Sequence, residues 1–201
     1  MAKIAEKVRS KSEQTKAKLL AAARVVIGTK GYTGATVDAI AETAGVSKGV
    51  VYYYFKTKAD IATNVLIDSI EGIIAQFEHD IAQATNAHEA LELLVSDFAH
   101  LIFANKETSR FMLTELWRGD RLWSDEMRVV EERLMTVIEG AIQGGIDSGM
   151  VRPQSDLRFT ATAVVGTVLT SAQYYILLDD SKEEEAFVKH CVEYVQHALQ
   201  A

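Results

Sequence analysis

The chain is predicted to be all-α, with a small three-helix module at its N-terminus and a larger helical domain behind it, about nine helices in all. Three observations lead there. Apolar residues recur at i, i+3, i+4 and i+7 through most of the 201 residues, a spacing that places them on one face of a helix. Capping sequences of the S/T/N-x-x-D/E kind precede these runs and glycines follow several of them. The sole proline, Pro153, falls between two runs and interrupts none.

Residues 1–11, with Lys3, Lys7, Arg9 and Lys11 and little to bury, read as a mobile basic arm. Ser10 and Glu13 form a capping box ahead of Leu19, Leu20, Ala23, Val26 and Ile27, so a first helix ends at the glycines of 28–31. Gly31, Tyr32 and Gly34 make the turn into a second helix, capped by Thr36 and carrying Val37, Ile40, Ala41 and Ala44 on one face. Gly45 can take the positive φ that closes it, and Ser47 offers the next N-cap.

The third segment, about Lys48 to Phe55, has a strand-like composition in Val50, Val51, Tyr52, Tyr53, Tyr54 and Phe55. It is short, has helix caps at both ends and no evident partner strand, which favours a helix over a buried strand. With Val51 and Phe55 turned inward at i, i+4, Gly49, Val50 and Tyr53 fall on the opposite side and Tyr52 and Tyr54 on the flanks. A packed helix does not need three consecutive tyrosines. Tyrosine hydroxyls can donate to phosphates, tyrosine rings can pack on a thymine methyl, and glycine permits close approach to a groove.

Thr57 and Asp60 open a fourth helix that runs to about Ala84, with Ile61, Leu66, Ile70, Ile73, Ile74, Phe77 and Ile81 at helical intervals. At 1.5 Å per residue it spans roughly 40 Å, long enough to connect the two domains without a flexible linker. Asn86 and Glu89 open a fifth helix, a short sixth follows Thr108, and Ser124 and Asp125 open a seventh that Gly149 ends. The last two helices cover about 156–178 and 182–199. The first of these is apolar or small on nearly every side, so one face can cover its own domain while another takes a partner. The domains are therefore 1–11 as an arm, 12–58 as the small module and 59–201 as the large one.

Charge is divided between them. Residues 1–64 hold eleven Lys and Arg against five Asp and Glu, giving +6, and the rest holds 10 against 23, giving −13, which sums to the overall −7. An acidic protein approaches DNA only if its positive charge is concentrated, as it is here beside the glycine turn and the tyrosines. There is no apolar stretch of membrane-spanning length, and a cytoplasmic protein is expected. A single cysteine, Cys191, excludes an internal disulfide framework. His79, His88, His100, His190 and His197 lack paired metal-ligand spacing; His190 and His197 could share zinc only across a dimer. With no nucleophile motif or phosphate-binding glycine loop either, no metal, cofactor or enzymatic activity is expected.

The segment Ser47 to Lys58, preceded by Thr36-Val37-x-x-Ile40-Ala41 and Ala44-Gly45-Val46, resembles the helix-turn-helix of the tetracycline-repressor (TetR) family. The resemblance covers about residues 12–60 strongly and the remainder in general layout; that family often carries histidine where this chain has Tyr54. It implies a DNA-binding transcriptional regulator, most readily a ligand-released homodimeric repressor on a near-palindromic operator. The two recognition helices would then lie about 34–36 Å apart or a multiple of it. Thr36, Lys48, Lys58 and the hydroxyls of Tyr52, Tyr53 and Tyr54 are the candidates for phosphates, with Gly49, Val50 and Tyr53 facing base edges.

The resemblance also implies a dimer through about residues 156–199 and a pocket for a small apolar or amphipathic effector in the large domain. Its candidate lining is Phe77, Phe98, His100, Phe111, Met112, Glu115, Trp117, Met127, Gln173 and Tyr174, with Arg118 a further polar candidate. Two rival readings are a TetR-like coactivator or protein-binding module without DNA recognition, and a helical ligand-binding enzyme.

Overall fold

The computed structural model describes residues 2–104, 109, 125–177 and 183–200, and all its regular elements are helices. We number them α1 (Ala2–Gly34), α2 (Val37–Ala44), α3 (Lys48–Tyr54), α4 (Lys58–Gln83), α5 (Ala87–Ala104), α6 (Asp125–Asp147), α7 (Leu157–Leu177) and α8 (Glu184–Leu199). The short helix expected after Thr108 lies outside the described residues.

The start of α1 differs from expectation. Its backbone is helical from Ala2, so Ser10 and Glu13 lie within the helix and do not cap it, and the segment read as an arm continues it. The capping box is a local signal, and residues 2–9 are mostly good helix formers that prolong the turn beyond it. Gly31, at φ 67 and ψ 166, breaks the helix where expected, leaving a last turn to Gly34.

The α2–α3 unit follows the local signals closely. Thr36 Oγ1 accepts from the Ala39 N–H at 3.1 Å. Gly45 is left-handed at φ 62 and ψ 40, with the Val46 N–H donating to the Ala41 carbonyl and the Gly45 N–H to that of Glu42, each at 3.0 Å. This is the hydrogen-bond pattern of a glycine C-cap, and it turns the chain sharply into α3. Ser47 stands at the N-cap of α3, although its side chain makes no capping hydrogen bond.

At the start of α4 the Thr57 side chain accepts from the Asp60 N–H, and Asp60 Oδ2 accepts from the Lys56 N–H at 2.9 Å. α1 packs on α2 and α4, α2 on α3, and α4 on α5 and α6. α5 is central to the large domain, touching α4, α6, α7 and α8. Through Ile61, Val65 and Leu66 of α4, the apolar interiors of both modules form one continuous core.

α7 presents two faces. Ala161, Val164, Val168, Ala172 and Ile176 are buried against its own domain. Phe159 and Tyr174 stand in solvent on the rest of its surface, beside exposed Thr162, Ala163 and Thr170. The turn ahead of it is tied down: the Arg152 N–H donates to the Leu199 carbonyl at 2.9 Å, and Val151 pairs with Gln200 across an antiparallel bridge. Val151 also seats on Gly145, where an added Cβ would stand 2.5 Å from Val151 Cγ2. No helix of the described residues is long and apolar enough to cross a membrane.

Candidate nucleic-acid interface

α3 is a helix and not a strand because its inner side chains have a core to enter. Val51 and Phe55 are completely enclosed by it. Tyr52 and Tyr53 are thereby turned outward, and Tyr53 is 81% exposed and Tyr52 49% exposed, both unusual for large side chains. Gly49 is exposed and Val50 half-buried beside them. A Cβ at Gly49 would meet only Ser47 Oγ at 3.8 Å, so the protein itself makes no demand for glycine there. The face is aromatic, and its tyrosines carry hydroxyl donors.

Four of the polar groups are already engaged within the chain. Thr36 uses its oxygen in the α2 cap and retains its hydroxyl hydrogen for a further acceptor. Lys48 Nζ donates to Asp38 Oδ2 at 2.9 Å, with both side chains well exposed, and this hydrogen bond raises the lysine above its ordinary pKa. Tyr54 is half-buried: its ring packs edge-on to Tyr53 at 5.1 Å and its hydroxyl lies 3.2 Å from Ser12 Oγ on α1. It forms a strut between α3 and α1.

Lys58 is likewise engaged within the chain. Its Nζ donates to the main-chain oxygens of Tyr32 at 2.9 Å, Ala35 at 3.1 Å and Thr33 at 3.4 Å. It also sits 4.5 Å from the centroid of the Tyr32 ring. The ammonium is folded into the joint between α1 and α4, at the carbonyl end of α1 where the helix dipole is negative.

The expected effector residues that lie among the described residues occupy more than one surrounding. Phe77 and Phe98 meet edge to face at 6.2 Å between α4 and α5, and Met127 is buried in the same core from α6. His100 points elsewhere, its Nδ1 lying 2.7 Å from Glu184 Oε1 of α8. Tyr174 is exposed and packs edge-on to Tyr175 at 5.2 Å, while Gln173 is half-buried on the same helix. Phe111, Met112, Glu115, Trp117 and Arg118 lie outside the described residues.

Residue spacing gave no hint of a carboxyl pair beside this aromatic core. Asp97 of α5 hydrogen-bonds with Asp80 of α4, which also accepts from Gln76 Nε2 at 2.8 Å. Burial, then the bond to Asp80, pushes Asp97 up to about 6, while the same bond holds Asp80 below the usual carboxylate range. Each carboxylate belongs to a different helix, so no sequence motif marks the pair.

A cleft of about 380 Å³ opens on α7 and α8, lined by Thr167, Ser171, Tyr175, Phe187, His190 and Tyr194. His197 lines a different cleft, of about 400 Å³, with His88, Met150 and Gln196. The two histidines of α8 thus serve separate surfaces within one subunit. Among the described residues no group of three or more His, Cys, Asp or Glu is arranged to hold a metal ion.

Residues 19–65 match the family model described as bacterial regulatory proteins, tetR family. The fatty acid metabolism regulator protein of Bacillus subtilis is 26% identical over 161 residues, covering 80% of this chain and 83% of that one. The HTH-type transcriptional repressor KstR2 of Mycolicibacterium smegmatis is 27% identical over 165 residues, covering 78% of this chain and 77% of its own. In fold, the transcriptional regulator FadR of Bacillus subtilis, solved in complex with stearoyl-CoA, superposes with a TM-score of 0.80 at 24% identity, over 91% of this chain and 98% of that one. The relatives are regulators of transcription, not enzymes.

Proposed function

We propose that the chain, whose residues 19–65 match the tetR family model and whose relatives are regulators of transcription, is a ligand-responsive DNA-binding regulator of that family: a cytoplasmic homodimeric repressor, released from a near-palindromic operator by an amphipathic effector. The observation that carries the reading is the Gly49–Val50–Tyr53 face of α3, with Tyr53 81% exposed at the basic end of an otherwise acidic chain. Gly49, Val50 and Tyr53 face the base edges. Thr36, Lys48 and Tyr52 hold phosphates on either side.

The dimer forms through α7 and α8, whose exposed Phe159, Tyr174 and Tyr194 otherwise leave aromatic surface in water. The effector enters the large domain near the Phe77–Phe98 core and displaces α4, which carries the reading head with it. Because the Bacillus subtilis relative regulates fatty acid metabolism, a long-chain fatty acyl-CoA is the effector class to test first. By linkage, whatever factor the effector takes from DNA affinity, DNA takes from effector affinity; a coupling of about 1–3 kcal/mol gives a 5- to 150-fold change.

The test is selection of genomic fragments by the purified protein, followed by footprinting of the enriched site. A protected near-palindrome, lost on adding acyl-CoA but not free CoA, is the expected outcome. Enrichment of no sequence would refute DNA recognition and favour the coactivator reading.

A further inference from the structure

Lys58 stands at the first position of α4, at the positive end of that helix's dipole. A cation there gains nothing from α4. An ammonium has three donors, and here all three are taken, by the Tyr32, Thr33 and Ala35 carbonyls at the end of α1 and just past it. The Tyr32 ring closes over the same charge, with Nζ 4.5 Å from its centroid. No donor is left to reach a phosphate without dismantling this arrangement. A second fastening lies ten residues further along α4, roughly 15 Å away at 1.5 Å per residue, where Asp68 pairs with Arg24 of α1 at 2.5 Å.

We propose that Lys58 is a positioning residue that locks the turn between α1 and α2 to the first turn of α4, so that reading head and connecting helix move as one body. It supports DNA binding by holding α2 and α3 in place, and it makes no phosphate contact. Two attachments along α4 fix direction as well as position: Lys58 sets where the head sits and the Arg24–Asp68 pair sets how it is inclined. The inference rests on the assignment of α3 to DNA. The joint itself can be read without DNA.

The experiment compares the full-length protein with Lys58→Met, Lys58→Arg and Tyr32→Leu, using the selected operator at several KCl concentrations and backbone hydrogen exchange in its absence. Losing charged hydrogen bonds at the joint is expected to lower operator affinity by about tenfold. The logarithmic salt slope stays as in the wild type, and exchange quickens around residues 32–38. Tyr32→Leu, which keeps the charge, shows the same pattern more weakly, and Lys58→Arg recovers part of the loss. Should Lys58→Met fail to fold, Tyr32→Leu and Lys58→Arg carry the comparison alone.

A slope shallower by about 0.9 in Lys58→Met would overturn the proposal, because that is the signature of one lost phosphate contact. Unchanged affinity with unchanged exchange would overturn it too. A wild-type protein that selects no operator would refute the assignment of α3, while quickened exchange in the variants would still uphold the joint.

Discussion

Gly49→Ala separates what the fold wants from what DNA wants. Gly49 is the second residue of α3, and a Cβ there meets nothing nearer than Ser47 Oγ at 3.8 Å, an ordinary contact. Alanine is favoured over glycine in a helix by about 0.5–1 kcal/mol, since glycine loses more backbone freedom on folding. For a chain of this size each 1 kcal/mol is about 2–4 °C, so the variant melts about 1–4 °C above wild type. Operator binding moves the other way. A methyl group on the face beside Tyr53 holds the helix off the base edges, and loss of one good contact there costs about 1–3 kcal/mol. That corresponds to about 5- to 150-fold in affinity. The assay is paired: a thermal melt and a fluorescence anisotropy titration of the same sample on operator DNA. Affinity that holds or rises along with the melting temperature would refute the placement of Gly49 against the groove.

Four further substitutions test other parts of the reading. Lys48→Ala should weaken binding and flatten the salt slope by about 0.9, whereas Asp38→Asn, which frees Lys48 from its 2.9 Å partner, should tighten binding, most of all at low salt; weaker binding by Asp38→Asn, titrated alongside, would mean that the pair positions α2 on α3 instead. Tyr194→Glu puts a charge on an exposed residue at the α7–α8 cleft, so light scattering should report monomers while the melt stays near wild type, and a persistent dimer would move the interface elsewhere. Asp97→Asn tests the carboxyl pair through pH. Because Asp97 titrates near 6 in the fold and near 3.8 when free, the native state holds its proton more tightly and the wild type loses stability as pH rises through that window. Asparagine does not titrate, so the melting-temperature gain of Asp97→Asn over wild type should widen from pH 4 to 7 and then level off; a gain independent of pH would refute the shared proton.

The helices were legible because their signals are local. Thr36, Gly45, Thr57 and Asp60 each act within four residues of themselves, and each does in the structure what its type and position implied. The outward face of α3 was legible for the same reason: once Val51 and Phe55 go inward, helical geometry assigns Gly49, Val50 and Tyr53. Long-range chemistry was not legible. Lys58 looked like a free cation because its three acceptors lie 23–26 residues earlier, and Tyr54 looked free because Ser12 is 42 residues away. The effector site was hardest, since aromatic residues at helical intervals record burial and do not distinguish a packed interior such as Phe77 on Phe98 from a lining.

The seat of Val151 on Gly145 bears on how regulation would fail in a cell. Adding a single methyl group at Gly145 must push Val151 away, and with it the bridge to Gln200 that anchors the approach to α7. Under the proposed dimer, such a subunit would pair poorly and leave a co-expressed normal subunit untouched, so the allele would be recessive. A subunit altered at Tyr53 would still pair, and would form mixed dimers with only one competent head, so that allele would be dominant negative. A screen scored for dominance would therefore sort substitutions by the surface they damage, with Gly145 grouped alongside Tyr194 even though neither residue lies near α3 in the chain.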